Sequence, residues 1–509
     1  RIHQGRIRVF LPPLTHLEHY LELVTAIEAT AVQCGLPVML EGYPPPEDHR
    51  LRRFTLEPDA AVLKLSLPMT GDWSLNQAFL MEAYAEAAQL GLYGLPGRNT
   101  GSRMGPGGST DLVLGGEEPA ESPFLFRPGL LRSLITCWQH HPALSYFLAG
   151  RQIGPSGHAP RPDEGRADAL YELGIALSRM PTDEPGLPWI PDRILRHLLA
   201  DPSGDIRRAE IRIDTLYDPD RVGQRLGHVI LRAFETAENG SFASVQLLLV
   251  RALIASLAHR PLTAPLIDWH TTLHDRYLLP GLLWEDLKTV LAGIREAGIP
   301  LQDAWYEPLL EQYFPLLGQM QLGSIRLELR PAHEPWPILA EEVTASGIAR
   351  FVDSANDRVQ VEVFGMTPSR HVLACNGRRV PLQPTGSKGH FIAGVRYKVW
   401  NPVATLHPTL PPVYTLVFDL IDTWTGKVVG SFSYQPPRPV VPGPVALPAR
   451  IPPEAEGSGD PQTRRTAPTV PPQIGQAGTF TPGQPEDRFL PIPPEEFSPR
   501  YPYLLNLAG

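Results

Sequence analysis

The stretch Arg208-Ala-Glu210-Ile-Arg212 recurs in the same pattern as Arg326-Leu-Glu328-Leu-Arg330. Because successive side chains of a strand point to opposite faces, each stretch places three charges on one face and apolar residues on the other. Both stretches therefore predict half-buried strands. Strong helix patterns over 241–257 and 282–297 stand between them. Strands with charged faces mixed with helices predict an α+β fold with packed helices and a largely antiparallel sheet.

The C-terminal part of the sequence is predicted to contain two further regions. From about residue 348 the apolar residues recur with a period of two, and Asn376-Gly377 is a hairpin turn signal. From Pro436 onward proline recurs every few residues and the periodicity ends. We therefore expect an α+β domain over 1–335, a small β-rich module over 336–436, and a proline-rich disordered tail over 437–509 that adds nothing to the fold.

The N-terminal part shows strand and helix patterns in alternation. A strand is predicted at 6–10, followed by a helix that ends at Cys34-Gly35. Another strand, at 61–67, precedes a helix that begins near Ser74. A glycine-rich loop covers 94–116, and one continuous helix is predicted over 127–148.

Composition and charge exclude several classes of protein. The 509 residues carry a formal charge of −9, which argues against a nucleic-acid binder, because such a protein needs a basic face. No apolar run in the sequence reaches the roughly 18 residues of a membrane helix. The three cysteines are far apart and form neither a disulfide framework nor a zinc pattern, so we expect a reducing, cytoplasmic location. The chain begins at Arg1 without a Met, so we also expect a fragment of a longer protein.

The charged faces of the two repeated stretches form the predicted functional site, and we expect them to share one cleft. Carboxylates on a sheet can hold Mg²⁺ through oxygen ligands while arginines bind phosphate oxygens, as a nucleotide-dependent ligase requires. The candidate ATP phosphate ligands are Arg208, Arg212, Arg232, Arg326 and Arg330, and the candidate metal ligands are Glu172, Glu210 and Glu328. The alternative is a solvated surface on which Arg and Glu neutralise each other across strands. No catalytic residue is assigned.

Two weaker features have simple structural interpretations. His270 and His274 are four residues apart, a spacing that can share a metal ion on a helix, but no third ligand is evident in the sequence. Asp163-Glu164 stands among arginines, for which a solvated loop is the simpler interpretation.

Several short stretches together resemble a known family. They are Glu41-Gly-Tyr-Pro-Pro-Pro46, Trp138-Gln-His140-His-Pro142, Arg232-Ala-Phe-Glu235, Leu273-His-Asp-Arg276, Glu334-Pro-Trp336 and Leu406-His-Pro-Thr409. Over roughly residues 1–435 the sequence resembles the amidoligase domain of long bacterial transglutaminase-like proteins. The resemblance implies a glutamine-synthetase-like fold and an ATP- and Mg²⁺-dependent joining of a carboxylate to an amine. It also implies a peptide or amino-acid substrate and, as partner, a transglutaminase-like cysteine peptidase domain upstream or in a neighbouring protein.

Four positions depart from the family pattern. Lys64 and Ser66 stand where the family has Glu and Asn, and Asn99 and Thr110 stand where it has His. A lysine in place of a carboxylate reverses the charge offered to Mg²⁺. Two function hypotheses follow: an active ligase, or a degenerate domain that serves as a non-catalytic scaffold or substrate-docking module for the peptidase. A structural protein with solvated charged faces is a third.

Overall fold

A computed structural model describes residues 2–3, 6–46, 48, 50–51, 54–59, 62–92, 94, 109–150, 153–165, 168–181, 187–344, 347–402, 404–437, 478–483 and 488–508. The chain divides into two units, Arg1–Pro68 and Met69–Gly509. This division differs from the boundary predicted at 335/336. Most of the glycine-rich loop, including Asn99, lies outside the described residues.

The first unit contains a parallel strand pair joined by a helix, and a separate hairpin. Its elements are β1 (Ile2–His3), β2 (Arg6–Leu11), α1 (Leu17–Cys34), β3 (Val38–Gly42), β4 (Thr55–Asp59) and β5 (Val62–Ser66). Strands β2 and β3 are parallel, and α1 connects them. The predicted strand at 6–10 and the helix end at Gly35 are confirmed, since Gly35 has a φ of 63°, a conformation that glycine favours. In the β4–β5 hairpin, Lys64 is paired with Glu57.

The helices of the second unit supply its largest apolar core. They are α2 (Trp73–Gln89), α3 (Pro123–Phe126), α4 (Pro128–His140), α5 (Pro142–Tyr146), α6 (Ala169–Arg179), α7 (Ile190–Leu195), α8 (Gly240–His259), α9 (Thr272–Asp275), α10 (Pro280–Glu296) and α11 (Glu307–Tyr313). Leu131 of α4 and Leu291 of α10 are fully buried in this core. The continuous helix predicted over 127–148 is wrong. It breaks at His141, because Pro142 has no N–H and disfavours the helical conformation of the preceding residue.

One helix among the described residues, α8, is long and apolar enough to cross a membrane. Half of it is buried inside the second unit, where Leu249, Val250 and Leu253 belong to the apolar core. A core helix of a globular protein has the same length and composition, so α8 is weak support for a membrane span.

The strands of the second unit form one small sheet, one hairpin and two larger sheets. They are β6 (Ser109–Leu114), β7 (Ile211–Arg212), β8 (Val229–Glu235), β9 (Gly318–Leu322), β10 (Ile325–Ala332), β11 (Ile338–Thr344), β12 (Gly347–Val352), β13 (Asn356–Phe364), β14 (His371–Cys375), β15 (Arg378–Arg379), β16 (Gln383–Pro384), β17 (Phe391–Lys398), β18 (Leu416–Asp422), β19 (Val428–Gln435), β20 (Thr479–Pro482) and β21 (Leu504–Asn506). The strand orders are β6-β8-β7, β16-β17-β13-β10-β9 with β21 beside β17, and β15-β14-β18-β19-β20, while β11 pairs with β12. Of these pairs only β17–β21 is parallel, so the predicted α+β class with largely antiparallel sheets is confirmed.

The two larger sheets pack on each other through apolar side chains. Leu327 and Val361 of one sheet and Phe418 of the other are at most 1% exposed in a shared core. Because β10 pairs with β13, the predicted boundary at 335/336 falls within one sheet. The predicted hairpin turn is confirmed, since Asn376 and Gly377 have φ values of 47° and 79°.

The prediction that residues 437–509 add nothing to the fold is wrong. Strand β20 pairs with β19, and β21 pairs with β17. Leu505 and Ala508 are each only 2% exposed. A high proline content indicates that regular periodicity is missing, but it does not prevent a few residues from pairing with a distant strand. Residues 438–477 of the predicted tail lie outside the described residues.

Candidate functional site

The two repeated charged stretches lie in different sheets. Only Ile211 and Arg212 of the first stretch are in a strand, β7 of the three-stranded sheet, whereas the whole second stretch lies in β10 of the six-stranded sheet. The two stretches therefore do not lie on one sheet, as the prediction of a common cleft on a sheet requires. The charged residues of the two stretches have different local partners. The predicted site is therefore divided into separate parts.

Three arginines, Arg208, Arg232 and Arg350, form what we call the arginine cluster. Arg208 and Arg350 share one carboxylate: Asp201 Oδ2 lies 3.4 Å from Arg208 Nε and 2.5 Å from Arg350 Nη2. Arg232, on β8, lies 3.3 Å from Asp111 on β6. Two of the three, Arg208 and Arg232, are predicted phosphate ligands, and the structure adds Arg350.

Each arginine of the cluster has a carboxylate partner, and Arg350 also pairs with Glu341, whose Oε1 lies 2.5 Å from Arg350 Nε, but two of their buried nitrogens make no hydrogen bond within the described part of the chain. Burial and then repulsion from Arg350, with a smaller contribution from Arg232, lower the pKa of Arg208 despite the attraction of Asp201 and Asp205. Arg350 Nη1 and Arg208 Nε are buried nitrogens that make no hydrogen bond to any described residue. Guanidinium groups with unused donors are suited to phosphate or carboxylate oxygens. The cluster is therefore the strongest anion-binding candidate in the described part of the chain.

A histidine beside the arginine cluster contacts Arg232 and Ser109. His158 Nε2 lies 2.6 Å from Arg232 Nη2 and 2.8 Å from Ser109 Oγ. Because a guanidinium can only donate, Nε2 is the acceptor in the contact with Arg232. Ser109 directly follows the glycine-rich segment 95–108 in the sequence, so the arginine cluster lies at the end of that loop.

Glu210, a predicted metal ligand, is buried rather than facing a cleft. It is 1% exposed, and neither of its carboxylate oxygens makes a hydrogen bond of normal geometry to a described residue. Burial raises the pKa of Glu210 to about 7, against the attraction of Arg161 and the weaker influence of Ser145 and Trp138. A carboxyl that is half protonated at neutral pH and enclosed by protein is poorly suited to hold Mg²⁺.

Glu210→Gln should remove a pH-dependent loss of stability. The pKa of this group rises from 4.5 to about 7 on folding, so ionisation destabilises the fold progressively across this interval. At pH 8 the wild type should have lost about 2–3 kcal/mol relative to pH 4.5 through this group, and the variant should not. Urea unfolding at both pH values measures the difference. The exposed Glu238→Gln is the matched control, and identical pH profiles for both variants would contradict the assignment.

Residues expected in a solvated loop form a buried polar network instead. Arg161 is 1% exposed and donates to Asp163 Oδ1 at 2.8 Å. Glu164 accepts from the hydroxyl of Tyr146 and lies 2.7 Å from His274 Nε2. The solvated-loop interpretation of Asp163 and Glu164 is therefore wrong. His274 belongs to this network rather than to a metal pair with His270, whose side chain is 78% exposed.

The second charged stretch, in β10, is neutralised by its neighbours. Arg326 lies 3.2 Å from Glu328, and its guanidinium stacks 4.2 Å from the centre of the Phe364 ring. Arg330 donates to the Phe314 carbonyl oxygen and to Glu311, both at 2.8 Å. These contacts resemble the solvated-surface alternative, in which arginine and carboxylate neutralise each other. Arg212 is similarly paired, with Asp214 at 2.8 Å.

Two side chains beside Glu328 are missing from the sequence-based site. Glu362 is its direct partner on β13, and His390 Nε2 lies 2.5 Å from Glu362 Oε1. The alternation of residues 359–364 places Glu362 on one strand face, but only the strand register shows that it lies opposite Glu328.

The predicted metal ligands do not come together. Among the described residues, no three His, Cys, Asp or Glu side chains lie close enough to hold a metal ion. Glu172 is on α6, Glu210 is buried next to Arg161, and Glu328 is on β10. Among the described residues, Glu172, Glu210 and Glu328 therefore do not form one group.

Most of the chain matches a known protein family. The family described as "Putative amidoligase enzyme (DUF2126)" matches residues 1–442. The chain belongs to this family. Comparisons with curated proteins and with solved structures find no match.

The amidoligase-family match covers the arginine cluster and the buried polar network but not β20 and β21. Of the departures from the family pattern, Thr110 lies on β6, next to Ser109 and Asp111 of the candidate site. Lys64 and Ser66 lie on β5 of the first unit, where both are exposed. Thr110 therefore neighbours Asp111, which pairs with Arg232 of the arginine cluster.

Proposed function

We propose that this amidoligase-family chain is an ATP-dependent carboxylate–amine ligase in which the arginine cluster binds phosphate groups. The supporting observation is that three guanidinium groups lie together and that Arg350 Nη1 and Arg208 Nε are buried donors without a hydrogen bond to any described residue, although Asp201, Asp111 and Glu341 pair with the cluster. Phosphate oxygens would accept from these donors and relieve the repulsion that lowers the pKa of Arg208.

The reaction follows from the chemistry of amide formation. A substrate carboxylate oxygen attacks the γ-phosphorus of ATP, ADP leaves, and an acyl phosphate is formed. The amine nitrogen then attacks the acyl carbon, phosphate leaves with the former carboxylate oxygen, and the amine loses a proton. Arginines would stabilise the negative charge that develops on the transferred phosphoryl group. We propose a peptide or amino-acid substrate, a cytoplasmic location and a transglutaminase-like peptidase partner on the basis of the family resemblance.

Mg²⁺ takes part in the proposed reaction only as the ion that accompanies ATP. The described residues do not supply a three-ligand site, so no step is assigned to a protein-bound metal. Mg²⁺ commonly binds through one or two carboxylates plus the phosphates of a nucleotide, and it would accompany ATP in this way.

A non-catalytic docking role is the second candidate function. It is favoured by the missing carboxylate cluster among the described residues and by Lys64, an exposed cation on β5 that offers no oxygen ligand. In this case the chain would position substrate for a peptidase domain without consuming ATP.

Phosphate release distinguishes the two candidates. We expect the purified chain, given ATP, Mg²⁺ and mixtures of amino acids and peptides, to release phosphate only when both a carboxylate and an amine donor are present. Arg208→Gln should abolish this release, and Arg326→Gln should leave it within about twofold. ATP binding without any phosphate release would contradict the ligase and support the docking role.

A further inference from the structure

The C-terminal residues 478–483 and 488–508, which we call the strap, lie along two strand edges of the second unit. In the β17–β21 pair, Gly394 N–H donates to the Tyr503 carbonyl and Leu507 N–H donates to the Arg396 carbonyl, both at 2.8 Å. At the other end β20 extends the five-stranded sheet beside β19. Backbone pairing of an extended segment with a sheet edge is a general mode of peptide recognition.

The strap is also recognised through its side chains. Leu505 is 2% exposed in the core between the two larger sheets. Tyr503 packs on a separate apolar cluster formed by Leu279, Leu282, Ala332 and Ile392. Phe480 packs on Phe432 with ring centres 5.0 Å apart. We call the surface that contacts the strap the groove. Apolar anchors of the strap are separated by exposed residues such as Ile492, at 47% exposure, so the groove has a sequence preference.

Polar groups of the groove bind the strap along its length. Asp275 Oδ2 accepts from Tyr503 N–H at 3.2 Å, and Gln383 Nε2 donates to the Pro502 carbonyl at 3.0 Å. Arg378 Nη1 donates to the Asn506 carbonyl at 2.6 Å. All three side chains belong to the part of the chain that the family match covers, which ends at residue 442, whereas the strap lies beyond it.

The sequence between groove and strap is long. Residues 438–477 could span at most about 130–145 Å when fully extended. A second copy of the chain carries the identical strap and the identical groove, so every contact made within one chain can be made between two chains. Exchange of an identical element is a low-cost route to dimers.

We propose that the groove beside β17 and β19 accepts the strap of a second copy of this chain. Within one chain the strap is favoured by its high effective concentration, and at high protein concentration straps are exchanged between copies. This interaction is independent of the ligase activity.

A peptide-exchange experiment tests the proposal on the folded chain. A protease recognition sequence is placed within 438–477, the folded chain is cut there, and a fluorescent peptide of residues 478–509 is added. We expect the peptide to replace the cut strap and to bind with one-to-one stoichiometry, measured by fluorescence anisotropy. Intact chains carrying two different tags should also co-purify after incubation at high concentration.

Matched peptides provide the control. A Leu505→Asp peptide should bind about 10–100-fold more weakly, because it places a charge at a buried apolar position. An Ile492→Asp peptide, altered at an exposed position, should bind within about twofold of the wild-type peptide. Equal binding of the Leu505→Asp peptide, or a cut strap that neither leaves nor exchanges within a day, would overturn the proposal.

Discussion

Glu334→Gln should lower the free energy of unfolding of the second unit by about 3–5 kcal/mol, the cost of breaking a buried ion pair. Glu334 Oε2 accepts from Arg358 Nε at 2.9 Å and its Oε1 accepts from Arg396 Nε at 2.6 Å. The side chains of Arg358 and Glu334 are 3% and 4% exposed. An amide would remove the negative charge and turn its NH₂ group towards an arginine donor.

The control for this prediction is Glu342→Gln, because Glu342 is an exposed residue on β11. Its effect should be below about 0.5 kcal/mol, as for an ordinary surface substitution. Urea unfolding followed by circular dichroism measures both variants. A loss of less than about 1 kcal/mol for Glu334→Gln would show that this ion pair is not important for the fold.

Arg208→Gln and Arg232→Gln should each weaken ATP binding by about 10–100-fold, since a charge-assisted hydrogen bond contributes about 1.5–3 kcal/mol. Both arginines belong to the arginine cluster, and neither substitution removes a large apolar side chain. The matched control is Arg326→Gln, from the other repeated stretch. Arg326 is 47% exposed and stacks on Phe364, so its loss should change the dissociation constant by less than about twofold. Equal losses for all three variants would contradict the distinction between the two stretches.

The strands of the C-terminal part could be predicted because local alternation determines them. Strand β14 lies in the region with a period of two that begins at about residue 348, and Asn376-Gly377 forms the predicted turn. The strap could not be predicted in the same way. Leu505 pairs with Val395 across 110 positions of sequence, and short strands in a proline-rich segment show no periodicity.

The orientation of the two charged stretches could be predicted only in part from the sequence. Alternation correctly predicts that the charges of β10 share one face, but Arg208 and Glu210 precede β7 and are oriented by long-range contacts. Arg208 Nη2 donates to the Gly157 carbonyl, and Glu210 N–H donates to the Pro160 carbonyl. No local pattern indicates that the segment before β7 runs beside residues 157–160. For the same reason Arg350 could not be assigned to the site before the fold was known.

Calorimetric titration of the wild-type chain with ATP and Mg²⁺ tests the central claim most directly. We predict saturable binding at a single site, and we predict that inorganic phosphate at high concentration competes with ATP for the arginine cluster. The same titration of Arg208→Gln should show markedly weaker binding, whereas Arg326→Gln should behave like the wild type. No measurable binding of ATP by the folded wild-type chain, or binding that is unchanged in Arg208→Gln, would contradict the claim that the arginine cluster is the phosphate site of a ligase.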